Sequence, residues 1–503
     1  QQQKHKQTHN TPPPTQVQTN RIEDIGEPAN LEKLRWIFTA PEKFRPGRTV
    51  QDVTAEAAGR FAQIAQALTG RGHEPQKVAH YLIQCLFAMF AEDAELLPDK
   101  LFERILAKSA NAPEKVSARL GELFKSMQGG GEFLLEDINY FNGGLFAVVE
   151  PLPLEASEIA ELHAAAKMDW SHIEPSIFGT LFERGLDPAM RSQLGAKLID
   201  PVVTCPLSDE WEAAKVVIAA AMEKYHAGGK GSQSAYKTAQ ETFLLYIERL
   251  KNFRVLDPAC GSGNFLYLAL RALKDLEHRA NLDAEAIGLH RQLTIEVSPA
   301  NVLGIELNSY AAELARVTVW IGEIQWMLRH GYDIRRNPIL ATLDHVECRD
   351  AILGPDRADS PWPACDVIVG NPPFLGNKKM LTELGQVTTE AMRNLFKGRL
   401  PGGVDLVIYW FERARAHIDS GNCQRAGLVS TQAIRKGSNR AVLERIVAAM
   451  PIFEAWRDEP WVNDGAAVRV SLVAFGQGGK PHIDGEEVSG IQADLSQLSG
   501  GFD

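Results

Sequence analysis

Phe253-Arg-Val-Leu-Asp257-Pro258-Ala259-Cys260-Gly261-Ser262-Gly263-Asn264-Phe265 is the stretch whose reading decides the fold. A short apolar run, Phe253 to Leu256, has the length and flanks of a buried parallel strand. Gly261 and Gly263 then let the backbone turn tightly before a helical pattern over Phe265–Leu276. In open sheets of parallel strands, ligands sit beyond the carboxyl ends, which is where this turn lies. A lone Gly-x-Gly says little, but the full Asp257–Phe265 string is specific and suits an adenosyl cofactor. Asp257, Ala259, Cys260, Gly261, Gly263 and Asn264 are the candidate cofactor residues.

Outward from this turn, residues 250–475 alternate strand and helix signals. The candidate strands are 253–256, 302–305, 346–348, 366–369, 427–430, 452–456 and 468–475, with helical patterns at 311–328 and 405–418. Such alternation predicts an α/β fold, a doubly wound and mostly parallel seven-stranded, Rossmann-like sheet. The last two strands are joined by a polar loop without a helical pattern, so an antiparallel pair is expected to close one edge.

Two further strand tips carry acids. Glu306 ends Gly304-Ile305-Glu306, where a carboxylate can accept both ribose hydroxyls. It lies more than twice as far past Gly263 as the roughly 20 residues of a dinucleotide site, which points to an insertion around residues 281–298 and away from plain NAD binding. Asp350, after Glu347-Cys348-Arg349, is placed to accept from an adenine amino group, or to cap a turn.

The second informative string is Asn371-Pro372-Pro373-Phe374, behind the apolar run Val367–Gly370. An exocyclic amine is a weak nucleophile because its lone pair is delocalised into the ring. Bonds from its N–H groups to the Asn371 side-chain oxygen and the Pro372 carbonyl favour tetrahedral nitrogen. The two prolines fix the backbone so that the carbonyl is aimed beforehand. Phe374 can stack on a base that has left its duplex. Asn371, Pro372, Pro373 and Phe374 are therefore the candidate catalytic residues. Methylation at a ring carbon normally uses a Pro-Cys nucleophile, and no Pro-Cys dipeptide occurs.

Composition sets the bounds. The chain has 503 residues, is 45% hydrophobic and 23% charged, and is long enough for two to four domains. Without a signal-peptide or membrane-length apolar stretch, a cytoplasmic protein with no membrane partner is expected. The scattered cysteines form no Cys-x-x-Cys pair, so neither a metal site nor a disulfide framework is expected. A formal charge of −11 is awkward for a nucleic-acid binder. It directs attention to a local basic stretch, Lys378, Lys379, Arg393, Lys397 and Arg399, or to DNA-gripping parts elsewhere. The chain opens on Gln1, as a processed or partial product would. Residues 1–25 read as a disordered tail, 26–130 as a helical domain, 131–250 as a connecting region, 251–480 as the strand-helix domain and 481–503 as a C-terminal segment.

These strings resemble the N6-adenine class of S-adenosylmethionine-dependent DNA methyltransferases, and most of all the large single-chain restriction-modification enzymes of the type IIL kind. Glu92-Asp-Ala-Glu-Leu-Leu-Pro98, Phe141-Asn-Gly-Gly-Leu-Phe146, Ile177-Phe-Gly-Thr-Leu-Phe-Glu-Arg184 and Asn371–Met380 extend the match. The resemblance implies a class I methyltransferase domain over 251–480, beginning within 131–250. It also implies S-adenosylmethionine held by Gly261, Gly263, Glu306 and Asp350, with Asn371–Phe374 acting on a flipped adenine of double-stranded DNA. The chain departs from the family in three ways. It contains no Glu-x-Lys, so no cleavage is expected. The target-recognition domain would start near 481–503, so a separate specificity subunit or domain is expected. A His-Tyr-Thr string is missing after Gln193-Leu-Gly-Ala196, which bears on cofactor affinity. Two other readings stay open: methylation of a glutamine amide or an RNA base, and an impaired remnant or subunit that keeps the fold and binds DNA or a partner.

Overall fold

Five short strands pair in parallel and carry the site at their carboxyl ends: β3 (Val255–Asp257), β4 (Val302–Glu306), β5 (Val346–Cys348), β6 (Val367–Gly370) and β7 (Arg425–Thr431). The computed structural model describes residues 50–109, 112–141, 144–171, 197–334, 343–463 and 466–498, with residues 35 and 195. The expected tail at residues 1–25 and the Ile177–Arg184 string lie outside these. In the order β5-β4-β3-β6-β7, β3 lies between β4 and β6, with every residue of β3 and β6 buried. Burial on both faces explains why these strands read as continuous apolar runs with no alternation.

Beyond β7 the antiparallel pair that the polar loop implied is present, but it does not close the sheet. β9 (Ala466–Gly476) pairs with β7 on one side and with β8 (Ile452–Asn463) on the other. Among the described residues the sheet has nine strands, where the sequence pattern gives seven. The two extra ones, β10 (His482–Ile483) and β11 (Glu486–Glu487), extend the sheet past β8. Each is two residues long, too short for a period-2 signal. The C-terminal segment packs onto the domain it follows: Ile483, Ile491 and Leu495 are buried in the core beneath β7 to β9.

Ahead of the sheet lie α1 (Val50–Gly70), α2 (Pro75–Asp93), α3 (Leu101–Ser109), α4 (Pro113–Gly129) and α5 (Ala156–Ala166). A two-stranded ribbon, β1 (Gly131–Phe133) and β2 (Glu136–Ile138), follows α4. Phe61, Tyr81, Phe87, Phe124 and Phe146 are fully buried there. This region is not separated from the sheet by a gap in packing. One continuous core joins it to α8 (Asn264–Ala286) and α9 (Ser309–His330), with α6 (Cys205–His226) and α7 (Ser232–Asn252) as a hairpin beside them. The α2–α9 seam is also polar, with His80 Nδ1 2.6 Å from Glu313 Oε1. The expected insertion at 281–298 is partly an extension of α8. The loop after it is pinned where Glu296 and Val297 donate their amides to the Glu277 carboxylate, each at 2.8 Å.

The remaining helices are α10 (Asn377–Glu383), α11 (Gln386–Leu395), α12 (Val407–Asp419) and α13 (Arg440–Ala449). α12 braces the first motif: the Trp410 indole donates to the Pro258 carbonyl at 3.0 Å. It is itself anchored by Glu412, whose fully buried carboxylate accepts from Arg415 and Arg445 at 3.0–3.1 Å. Breaking a buried pair by removing one partner leaves the other charge uncompensated, at a cost of about 3–5 kcal/mol. Glu412→Ala is therefore expected to lower the urea midpoint by a corresponding amount. A midpoint unchanged from the wild type would show that the arginines find other partners.

Candidate functional site

The first motif is built by hydrogen bonds from its own backbone. Asp257 Oδ1 accepts from the Ala259 amide at 3.0 Å, and Cys260 donates its amide to the Ile305 carbonyl at 3.1 Å, tying the turn to β4. Gly263 caps α8 in the left-handed region, with φ +83°. A Cβ there would meet the Ala315 Cα of α9 at 2.8 Å, so only glycine permits this approach. Gly261 donates its amide to Glu306 Oε2 at 2.9 Å, and Asn308 donates to Oε1 at 2.8 Å. The Glu306 carboxylate is thus fixed against the glycine turn, although its backbone partners were not legible in the sequence.

Asp350 sits at the next strand tip. Its Oδ1 accepts from the amides of Ile352 and Leu353 at 2.7 and 3.0 Å, so it does cap a turn, and Oδ2 takes part in neither bond. The wall around it is stiffened by Ser360, which donates its hydroxyl to the Asp350 carbonyl, and by Trp362, which donates to the Ala351 carbonyl.

The second motif meets the first across β3 and β6. A Cβ on Gly370 would lie 2.5 Å from Asp257 Oδ1, so the two strings, far apart in sequence, are in contact through this glycine. Asn371 Oδ1 is buried and accepts no hydrogen bond, and Asp257 Oδ2 is in the same state. Buried polar atoms are rarely left unpaired, and each costs about 1–3 kcal/mol. Two in adjoining motifs mark places where an incoming donor would be bound. Pro373 is exposed, while Phe374 is half-buried against Leu198, Val429, Val470 and Leu472, in a cluster that Phe265 and Trp456 also touch. Trp456 itself is covered by Lys197, whose Nζ lies 3.9 Å from the ring centroid and pairs with Glu459 at 2.8 Å. Neither Lys197 nor Trp456 has a local signature, since each belongs to the site only through the fold. Of the Gln193–Ala196 junction, only Gly195 is among the described residues.

The basic stretch is split by the structure. Lys378 and Lys379 are exposed on α10, at the mouth of a cavity of about 620 Å³ that Phe374 and Asp405 also line. Arg393 instead turns inward to donate to Asn377 Oδ1 at 2.8 Å, and Arg399 lies over the Phe396 ring. A larger cavity of about 810 Å³, with His278, His330 and His345 in its wall, opens at the amino ends of β4 and β5, away from both motifs. Among the described residues no helix is long and apolar enough to cross a membrane, and no cluster of metal-binding side chains occurs.

Burial pushes the Asp257 carboxyl up to about 8, with the Glu306 charge adding to the rise and the Ala259 amide opposing it. An acid with an unfolded pKa of about 3.9 then keeps its proton in the folded chain after the unfolded chain has lost it. Its contribution to stability therefore falls as pH rises from about 4 to about 8. In chemical denaturation without ligand, Asp257→Asn is expected to match the wild type near pH 4 and to exceed it at pH 7. Parallel stability curves for the two chains would contradict this assignment.

Residues 233–483 match the family model of the MmeI DNA-methyltransferase domain, and residues 76–146 match that of the MmeI helicase spacer domain. DNA methyltransferase A of Bacillus subtilis is 26% identical over 452 residues, 84% of this chain and 48% of that protein. The structure of the type IIL restriction-modification enzyme MmeI in complex with DNA superposes with a TM-score of 0.69 at 25% identity, covering 88% of this chain and 61% of that one. The chain thus spans about half the length of that curated relative.

Proposed function

We propose that this chain transfers a methyl group from S-adenosylmethionine to N6 of adenine in DNA, as the modification arm of a restriction-modification or phage-defence system, a reading supported by the matches of residues 233–483 and 76–146 to the MmeI methyltransferase and spacer models. The observation that carries this reading is Asn371 Oδ1, a buried acceptor without a donor, next to a motif turn that begins at Asp257, whose Oδ2 is likewise buried and unpaired.

The residues present fit the cofactor. Asp257 Oδ2 suits a cationic amino group, since a cation against it would favour the ionised form that burial now opposes. Each Glu306 oxygen, already oriented by one backbone amide, keeps a lone pair for a ribose hydroxyl. Asp350 Oδ2 is left for the adenine amino group, with Ala259, Cys260, Gly261, Gly263 and Asn264 forming the turn against which the cofactor lies. Bound S-adenosylmethionine supplies an electrophilic methyl on a sulfonium centre.

The chain's own residues then prepare the acceptor. A target adenine must leave the duplex, and Phe374 gives it a face to stack on. Asn371 Oδ1 and the Pro372 carbonyl each accept one N–H of the exocyclic amine. This draws the lone pair out of conjugation and toward the methyl carbon, and Pro372 and Pro373 hold the carbonyl in place before the substrate arrives. After transfer the nitrogen loses one of its protons, giving the neutral methylated amine. The exposed Lys378 and Lys379 are placed to approach backbone phosphates, while the charge of −11 supports a division of labour in which a specificity subunit or domain reads the DNA sequence.

Two substitutions separate binding from transfer. Asn371→Ala is expected to lower methyl incorporation into unmethylated genomic DNA by about 10²–10³-fold, the scale of losing one preorganised partner, with calorimetric affinity for S-adenosylmethionine unchanged. Asp350→Ala is expected to weaken that affinity by about tenfold, the worth of one hydrogen bond. Equal loss of binding and transfer in both variants would overturn these roles. A folded wild-type chain that binds the cofactor but modifies no DNA would favour an impaired remnant.

A further inference from the structure

The loop that continues from the second motif is held by a side-chain pair that no motif identifies. Asp405 Oδ1 accepts from the Asn377 amide at 2.8 Å, while Asp405 Oδ2 accepts from the Asn439 side-chain amide at 2.7 Å. The Asp405 amide donates in turn to Asn439 Oδ1 at 2.8 Å. Two more bonds join the same three segments: the Leu406 amide donates to the Leu375 carbonyl at 2.9 Å, and the Ser438 hydroxyl to the Gly403 carbonyl at 2.8 Å. Asn439 is buried at the start of α13, whereas Asp405 leads into α12, the helix that braces Pro258. The orientation of the Asn439 amide is dictated by its partners, because its oxygen must face the Asp405 N–H and its nitrogen the carboxylate.

We infer that Asp405 and Asn439 form a reciprocal clamp that positions the Asn371–Asn377 loop, and through it the acceptor groups of Asn371 and Pro372. Both Asp405 oxygens and both ends of the Asn439 amide are engaged by these bonds, so the pair has a positioning role, although Asp405 also borders the cavity beside Phe374. The catalytic part of the inference rests on the methyl-transfer reading. Phe374, Leu375 and Gly376 bridge the three residues between the second proline and the clamped Asn377, so a slack clamp would loosen the stacking residue before anything else. Misplacement of reacting groups by about 1 Å is enough to cost about 10²-fold in rate.

Exchanging the two side chains tests the clamp. In Asp405→Asn the new side-chain amide faces the Asn439 amide, and flipping Asn439 only moves the mismatch to the Asp405 backbone N–H. In Asn439→Asp two carboxylates face each other. The double exchange, D405N with N439D, satisfies every bond again. The amide side chain introduced at position 405 still accepts from Asn377 and donates to the carboxylate introduced at position 439. The backbone N–H of position 405 still has an oxygen acceptor. Net charge is unchanged.

Amide exchange of the 374–379 peptide, read by mass spectrometry, needs no turnover. Each single variant is expected to speed that exchange and to lower kcat for methyl incorporation at least tenfold, with affinity for S-adenosylmethionine within twofold of the wild type. The double exchange is expected to restore both. Single variants that exchange like the wild type, or a double variant no better than the singles, would overturn the clamp. Restored exchange without restored kcat would overturn its positioning role. A wild-type chain that shows the protected amide yet transfers no methyl group would refute the assigned reaction and leave the clamp standing.

Discussion

Everything at this site depends on β3 being paired in parallel with β4 on one side and β6 on the other. That register sets the tips of three strands side by side. It thereby brings Asp257, Glu306 and Gly370 together, although the two motif strings lie far apart along the chain. The contact between Gly370 and the Asp257 carboxyl leaves no room for a side chain, so the approach of the two motifs is a steric constraint on both. The amino ends of the same strands are fixed by Asp366, which accepts from Arg249 and from the Arg254 amide at 2.7 and 2.8 Å. A slip of either strand would separate the cofactor turn from the acceptor loop.

The energetics of the site are those of a protein holding groups ready. Asp257 and Asn371 each keep a buried oxygen without a donor, a cost that a folded chain bears only where a ligand or the scaffold recovers it. The scaffold does this with packing that owes nothing to the motifs themselves: the Glu412 ion cluster on α12, the Trp410 bond to Pro258, and the Glu277 carboxylate that pins the loop before β4. Preorganisation of this kind moves the cost of orientation from the reaction to the folding of the chain.

Much of this was legible in the sequence, and the reasons differ by element. The central strands β3 and β6 announced themselves because burial on both faces leaves an apolar run, and the glycine turn because only glycine fits at Gly263. Asp350 was ambiguous, and the structure keeps it so in part: one oxygen caps a turn while the other stands apart from both bonds. β10 and β11 escaped because two residues carry no periodicity. The shared core of the helical region and the sheet escaped because a helical stripe shows that a face is buried, and not against what. Asp405, Asn439, Lys197 and Trp456 had no signal at all, since polar pairs between distant segments are written only in the fold.

That the acceptor is the N6 amine of adenine in DNA is tested most directly by digesting DNA to nucleosides and identifying the methylated species by mass spectrometry. The DNA should come from a host lacking adenine methylation and be incubated with this chain and labelled S-adenosylmethionine. Label is expected in N6-methyldeoxyadenosine, and it should disappear with Asn371→Ala. Label in N4-methyldeoxycytidine, or in protein with none in DNA, would contradict the assignment.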